Sequence, residues 1–115
     1  MVSDGCRKHK IYDKYFNKIC PSVEIIYPDE HHQKLVTQGI CNVKNSHRFD
    51  SKNSKNRPQN IFKKVAKHLF DYYVGGGEII VIAGCTDIRV DYYDPNGIDS
   101  LEVLKNAIYK EIKDE

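Results

Sequence analysis

Gly75-Gly76-Gly77-Glu78-Ile79-Ile80-Val81-Ile82-Ala83-Gly84-Cys85-Thr86-Asp87 decides how this chain is read. Three glycines interrupt what precedes them, and an unbroken apolar run follows. A strand covered on both faces reads this way, as in a parallel sheet flanked by helices. Before the glycines the period changes. Pro58 opens a segment in which Ile61, Val65, Leu69 and Tyr72 form one stripe. Phe62, Ala66 and Phe70 lie beside that stripe, and Lys63, Lys64 and Lys67 lie opposite as a wet face. A helix leading through a glycine turn into a buried strand is an αβ unit. The glycines are not read as a phosphate cradle, because phosphate loops follow a strand and open a helix.

Towards the N-terminus, Ile11, Tyr15, Phe16 and Ile19 recur at helical spacing, and Pro21 stops them. Val23-Glu24-Ile25-Ile26-Tyr27 is β-branched and aromatic and reads as a strand. Pro28-Asp29-Glu30 starts another helix, with Asp29 as its cap and Leu35, Val36 and Ile40 as a partial apolar face. Residues 44–57 are polar, with Phe49 the one apolar side chain, and predict a solvated, mobile loop. Towards the C-terminus, Asp99-Ser100-Leu101-Glu102 supplies a cap and a carboxylate three residues on. Leu101, Leu104, Ile108 and Ile112 form the stripe of that last helix, a face this short chain does not obviously cover. The expected fold class is therefore α/β: one domain over residues 1–115, three-layered, with a small, mostly parallel sheet flanked by helices.

Composition narrows the functions. The 115 residues allow one modest core. A net charge of +2, from 18 basic and 16 acidic residues, is too small to imply a nucleic-acid or membrane partner by charge alone. Lys44 to Arg57 carries five Lys or Arg but, apart from Phe49, no interleaved aromatics on which bases would stack, so no nucleic acid is expected. No apolar run approaches the roughly 20 residues that span a bilayer. The polar N-terminus lacks the apolar stretch of a secretory signal, so the expected location is cytoplasmic. The four cysteines, at positions 6, 20, 41 and 85, are then expected as free thiols. Cys6-x-x-His9, His31-His32 and Cys41 with His47 match none of the usual zinc spacings, and no metal is expected. The two adjacent histidines read as solvated side chains.

Chemistry is expected at Gly84-Cys85-Thr86-Asp87. Ligands of open α/β sheets bind at the carboxyl ends of strands. A cysteine there is held by the strand before it, and the amides of the turn after it can hold a carboxylate or favour the thiolate. The alternative is a structural cysteine that ends a strand. Around this point the sequence resembles the aspartate/glutamate racemase family. Ile79 to Ile88, IIVIAGCTDI, is similar to the family's second catalytic-cysteine motif. Tyr27-Pro28-Asp29-Glu30-His31-His32-Gln33 resembles its Pro-Asp-Glu-x-x-Gln segment, and Tyr12 to Phe16 its preceding helix. Ile98-Asp99-Ser100 with Val103-Leu104 resembles its closing turn and last helix. The likeness runs in order from about residue 11 onward.

This resemblance implies a fold like one half of a two-domain racemase, in which two cysteines flank the α-carbon of an acidic amino acid. One thiolate removes the α-proton and the other thiol reprotonates the opposite face, without pyridoxal phosphate or metal. It implies Cys85 as the acid/base, Thr86 holding the substrate carboxylate, and Gly84 as the close-approach position. Asp87 tilts the likeness towards the aspartate branch. A complete racemase needs about twice this length, and the domain carrying the other cysteine has no counterpart here. Cys41-Asn42-Val43 echoes that domain's Cys-Asn-Thr motif only superficially, and Met1 to Lys10 read as too polar for the family's opening strand. The implied partner is a small acidic amino acid, aspartate or glutamate, with a second copy or a complementary N-terminal half completing the site. The alternative function is a non-catalytic module that binds a dicarboxylate or a partner protein.

Overall fold

The computed structural model describes residues 1–72 and 80–113, with only the backbone described for Thr86, Ser100 and Leu104. Helices dominate: α1 (Asp4–Lys8), α2 (Ile11–Ile19), α3 (Glu30–Lys44), α4 (Pro58–Tyr72), α5 (Thr86–Asp91) and α6 (Ser100–Lys113). Among the described residues two short strands, β1 (Ile82–Ala83) and β2 (Ile98–Asp99), pair in parallel, Ile82 opposite Ile98 and Ala83 opposite Asp99. The α/β expectation holds in this coarse form. Gly75 to Gly77, with Glu78 and Ile79 of the expected strand, lie outside the described residues.

The core is an antiparallel hairpin of α3 and α4 with α5 and β1 laid against it. α3 begins where Asp29 accepts a hydrogen bond from the His32 amide at 2.8 Å, the capping role its sequence predicted. Its inner face is only partly apolar: Gln33, Val36, Gly39 and Asn42 are the buried residues. α4 contributes Ile61, Phe62, Val65, Ala66 and Leu69, all buried as the stripe required, although Tyr72 at its end is exposed. Gly39 is the point of closest approach between the helices. A Cβ there would lie 2.5 Å from Phe62 Cε1, so the fully buried ring rests on bare helix backbone.

The segment 23–27 is not a strand. Its sequence has the right residues, but a strand also needs a free sheet edge. One edge of β1 carries β2. The other is taken by Met1, whose amino group donates to the Ile82 carbonyl at 2.6 Å and whose carbonyl accepts from the Gly84 amide at 2.9 Å. These two bonds bracket Ala83 as a parallel pair does. Met1 and Val2 are buried despite the polar run that follows them, and burial lowers the Met1 amine from 8.0 to about 6. Kept from β1, residues 23–27 take no regular structure and pass beside a cavity of about 380 Å³ walled by Val2, Phe16, Ile25, Leu69, Ile80 and Ile82. Ile80 is accordingly exposed, so the run before Gly84 is not covered on both faces. The Tyr27 hydroxyl donates to Asp13 at 2.5 Å and ties the segment to α2; burial first, and then this carboxylate, push the phenol up to about 12.

The polar stretch 44–57, expected as a mobile loop, is tied down by side chains that flank it as well as by its own. Asn42 Nδ2 donates to the Asn56 carbonyl, and Asn60 Nδ2 to the carbonyls of Lys52 and Ser54. His47 Nδ1 lies 2.8 Å from Asp50 Oδ2 within a 3-10 turn over His47–Phe49. These bonds satisfy backbone groups that no ladder satisfies.

α6 starts as its sequence predicts. Asp99, the last residue of β2, accepts from the amides of Leu101 at 3.0 Å and Glu102 at 3.3 Å, so one residue ends the strand and caps the helix. Beyond that point α6 projects from the body. Ile108 is 52% and Ile112 67% exposed, the uncovered stripe that its sequence foreshadowed. The radius of gyration is 15.2 Å, against about 13 Å for a compact chain of this length. No helix among the described residues is long and apolar enough to cross a membrane.

Two predictions follow from this packing. Gly39→Ala gains helix propensity of about 1 kcal/mol, but overpacking against a rigid buried ring costs about 1–3 kcal/mol. Net destabilisation in urea unfolding is the expected result, relieved when Phe62→Leu is added; a more stable single variant would contradict the contact. The second concerns acid. Partial burial pulls the Asp99 carboxyl up, but the Arg89 guanidinium and the Glu102 and Leu101 amides pull it down further, and its pKa lies below the usual carboxylate value. Below about pH 4 the unfolded chain therefore takes up the Asp99 proton before the folded one does. This stabilisation is complete above the unfolded value and is lost as pH falls through the folded one. Asp99→Asn, which keeps a capping oxygen, should flatten the decline of stability with acid; identical pH slopes for both proteins would refute it.

Candidate functional site

β1 delivers Gly84 and Cys85 to the start of α5. The backbone of Cys85 is extended, with φ −132° and ψ 138°, and the residue stands at the N-cap of the helix without a side-chain capping bond. Its carbonyl accepts from the amides of Ile88 and Arg89 at 3.1 and 3.2 Å. The amides of residues 86 and 87 precede the intrahelical ladder, as the first amides of any helix do. The turn expected after the cysteine is thus the first turn of a helix. Cys85 is half-buried, with part of its side chain against the core, so both the exposed and the structural readings of this thiol describe it in part. Cys6, Cys20 and Cys41 are also free thiols, and Cys41 lies on the exposed side of α3, away from the buried Asn42 beside it.

The open approach expected at Gly84 is filled by the protein itself. A Cβ there would lie 2.6 Å from the Tyr12 hydroxyl and 2.6 Å from Val2 Cγ1. Glycine is required because α2 and the N-terminal segment close over it. The Thr86 side chain lies outside the described residues. Asp87 faces Lys44 at the end of α3, with Nζ 3.6 Å from Oδ2. Gly84, Cys85 and Asp87 are not among the residues that line the apolar cavity.

Charge around α5 is already paired. Arg89 Nε donates to Asp99 at 2.5 Å, and Arg48 Nε donates to both oxygens of Asp91, at 2.8 and 3.1 Å. With Asp87 and Lys44, these bonds tie α5 to β2, to the loop after α3 and to α3 itself. Both Arg48 and Arg89 are paired with aspartates, so an incoming carboxylate would rely on backbone amides or displace an existing partner.

A second constellation escaped the sequence reading. His32, near the start of α3, is not a solvated side chain. Its ring stacks on that of His68 from α4, centroids 3.6 Å apart and planes 13° from parallel. Asp29 lies across both rings: His32 Nδ1 is 2.7 Å from Oδ1, and His68 Nε2 is 3.9 Å from Oδ2. The backbone amide of His32, and then its ring, hold the Asp29 carboxyl below its ordinary pKa. The His68 Nδ1 is buried with no hydrogen-bond partner. Only the antiparallel hairpin joins these residues. Nothing local to either histidine announces the pairing, and the one signal available was a histidine on each of two helices predicted from their stripes.

Set against family models, curated proteins and solved structures, the chain matches none of them.

Proposed function

We propose that this chain is one half of a cofactor-independent amino-acid racemase of the aspartate/glutamate type, with Cys85 as its single acid/base. The observation that carries the reading is the position of Cys85 where a parallel strand passes into a helix. The thiol is not spent on capping there, and it adjoins amides that the helix leaves without partners. Thiol chemistry at the α-carbon needs a base on one face and an acid on the other. A single thiol can exchange a proton on its own face but cannot invert the centre. The resemblance in four ordered segments supports the substrate class, and Asp87 the aspartate branch.

A second reading, a partner-binding module, is favoured by the apolar stripe that α6 leaves exposed. The two readings meet if a complementary half covers that stripe and brings the second thiol.

In heavy water the isolated chain should exchange the α-proton of L-aspartate slowly or not at all and invert none of it, and any exchange that does occur should retain configuration. Rapid racemisation abolished by Cys85→Ser would overturn the half-site reading in favour of a complete site. Alkylation by iodoacetamide, followed by peptide mass spectrometry, tests the site itself. Aspartate should slow labelling of Cys85 and leave the exposed Cys20 and Cys41 unaffected. Equal labelling of Cys85 with and without aspartate would sink the proposal.

A further inference from the structure

We propose that Asp29, His32 and His68 form a binding site for a divalent transition-metal ion of the zinc class. One donor atom from each residue lies within 4.8 Å of the others. Two imidazole nitrogens and a carboxylate oxygen, with a fourth position open to water, are a donor set that zinc accepts readily. Tetrahedral zinc, with bonds of about 2.0–2.1 Å, holds neighbouring donors roughly 3.3 Å apart. Asp29 Oδ1 lies 2.7 Å from His32 Nδ1 and Oδ2 lies 3.9 Å from His68 Nε2, values on either side of that separation but measured to different carboxylate oxygens.

The second histidine is not held by the carboxylate. His68 Nε2, at 3.9 Å from Asp29, is beyond hydrogen-bond reach of it, so its lone pair is open to an ion, while the buried Nδ1 lies outside the donor set. Helix dipoles do not oppose the ion. The start of α3 presents partial positive charge, but the last turns of α4, which carry His68, present partial negative charge beside it. Asp29 is half exposed, so the ion has a route from solvent.

Closure requires one movement. Lone pairs lie in the ring planes, and two stacked rings 13° from parallel aim theirs side by side. Binding therefore turns the rings out of their stack until both planes meet at the ion.

Calorimetric titration with zinc, with cobalt as a spectroscopic substitute, tests this on the full chain. Saturation at one equivalent is expected, with the visible bands of four-coordinate cobalt and no thiolate charge-transfer band. A zinc-dependent rise in Tm should accompany it. His68→Gln and Asp29→Asn, which keeps the cap, should each weaken binding by at least about 10-fold. Replacing all four cysteines by serine should leave binding intact. Absence of saturable binding to the wild-type chain overturns the proposal. So do undiminished binding in both ligand variants and a cobalt–thiolate band that vanishes with the cysteines. Should His68→Gln not fold by circular dichroism, Asp29→Asn and the wild-type cobalt spectrum decide. The site shares no residue with that of Cys85, so failure here leaves the thiol proposal untouched.

Discussion

The contact between Gly39 and Phe62 governs the rest of this molecule. A side chain at position 39 would hold α3 and α4 apart; its absence lets the ring of Phe62 lie on the α3 backbone. Helices packed this closely have little freedom to slide, because interiors are as dense as organic crystals. The register fixed there extends both ways along the hairpin. In one direction it aligns Asn42 with the carbonyl of Asn56, closing the loop. In the other it stacks His32 on His68 and sets Asp29 across both. The platform against which α5 and β1 pack is the same pair of helices.

On that platform the sheet is minimal, and its neighbours do the work that further strands would do. Met1 supplies the backbone partner on one side of Ala83, while β2 supplies it on the other. Gln33, buried in α3, donates to the Val2 carbonyl at 3.0 Å and so fixes the N-terminal segment to the hairpin. Tyr12 and Val2 then close over Gly84. Three ion pairs hold α5 in place, so the direction of the Cys85 thiol is set by contacts on several sides rather than by the short helix alone.

Much of the helical skeleton was legible in the chain. α2, α4 and the starts of α3 and α6 each combine a stripe of period 3.6 with a proline or an aspartate at the boundary, and both signals are local. What was misread depends on distant partners. Residues 23–27 have strand composition, but the edge they needed is held by Met1, a residue whose polar successors concealed its burial. α5 has six residues, too few for a periodic pattern, and its capping position is a cysteine. Asp87 read as a site residue until its partner Lys44 was placed. Gly84 was marked as the position a ligand would approach, but the groups that lie against it are Tyr12 and Val2. His32 and His68 share no local motif, and only the helix register brings their rings together.

The attachment of α6 carries a consequence for cooperativity. The helix meets the body through a two-residue strand and a single capping carboxylate, while Leu101, Ile108 and Ile112 of its stripe are exposed. Its 14 residues are close to the length at which an isolated helix is marginal in water, about 12–15 residues. Fraying of this helix therefore breaks almost no contact on which the hairpin relies. Its backbone amides belong to a separate, weaker opening unit, exchanging with solvent through local unwinding long before those of α3 and α4.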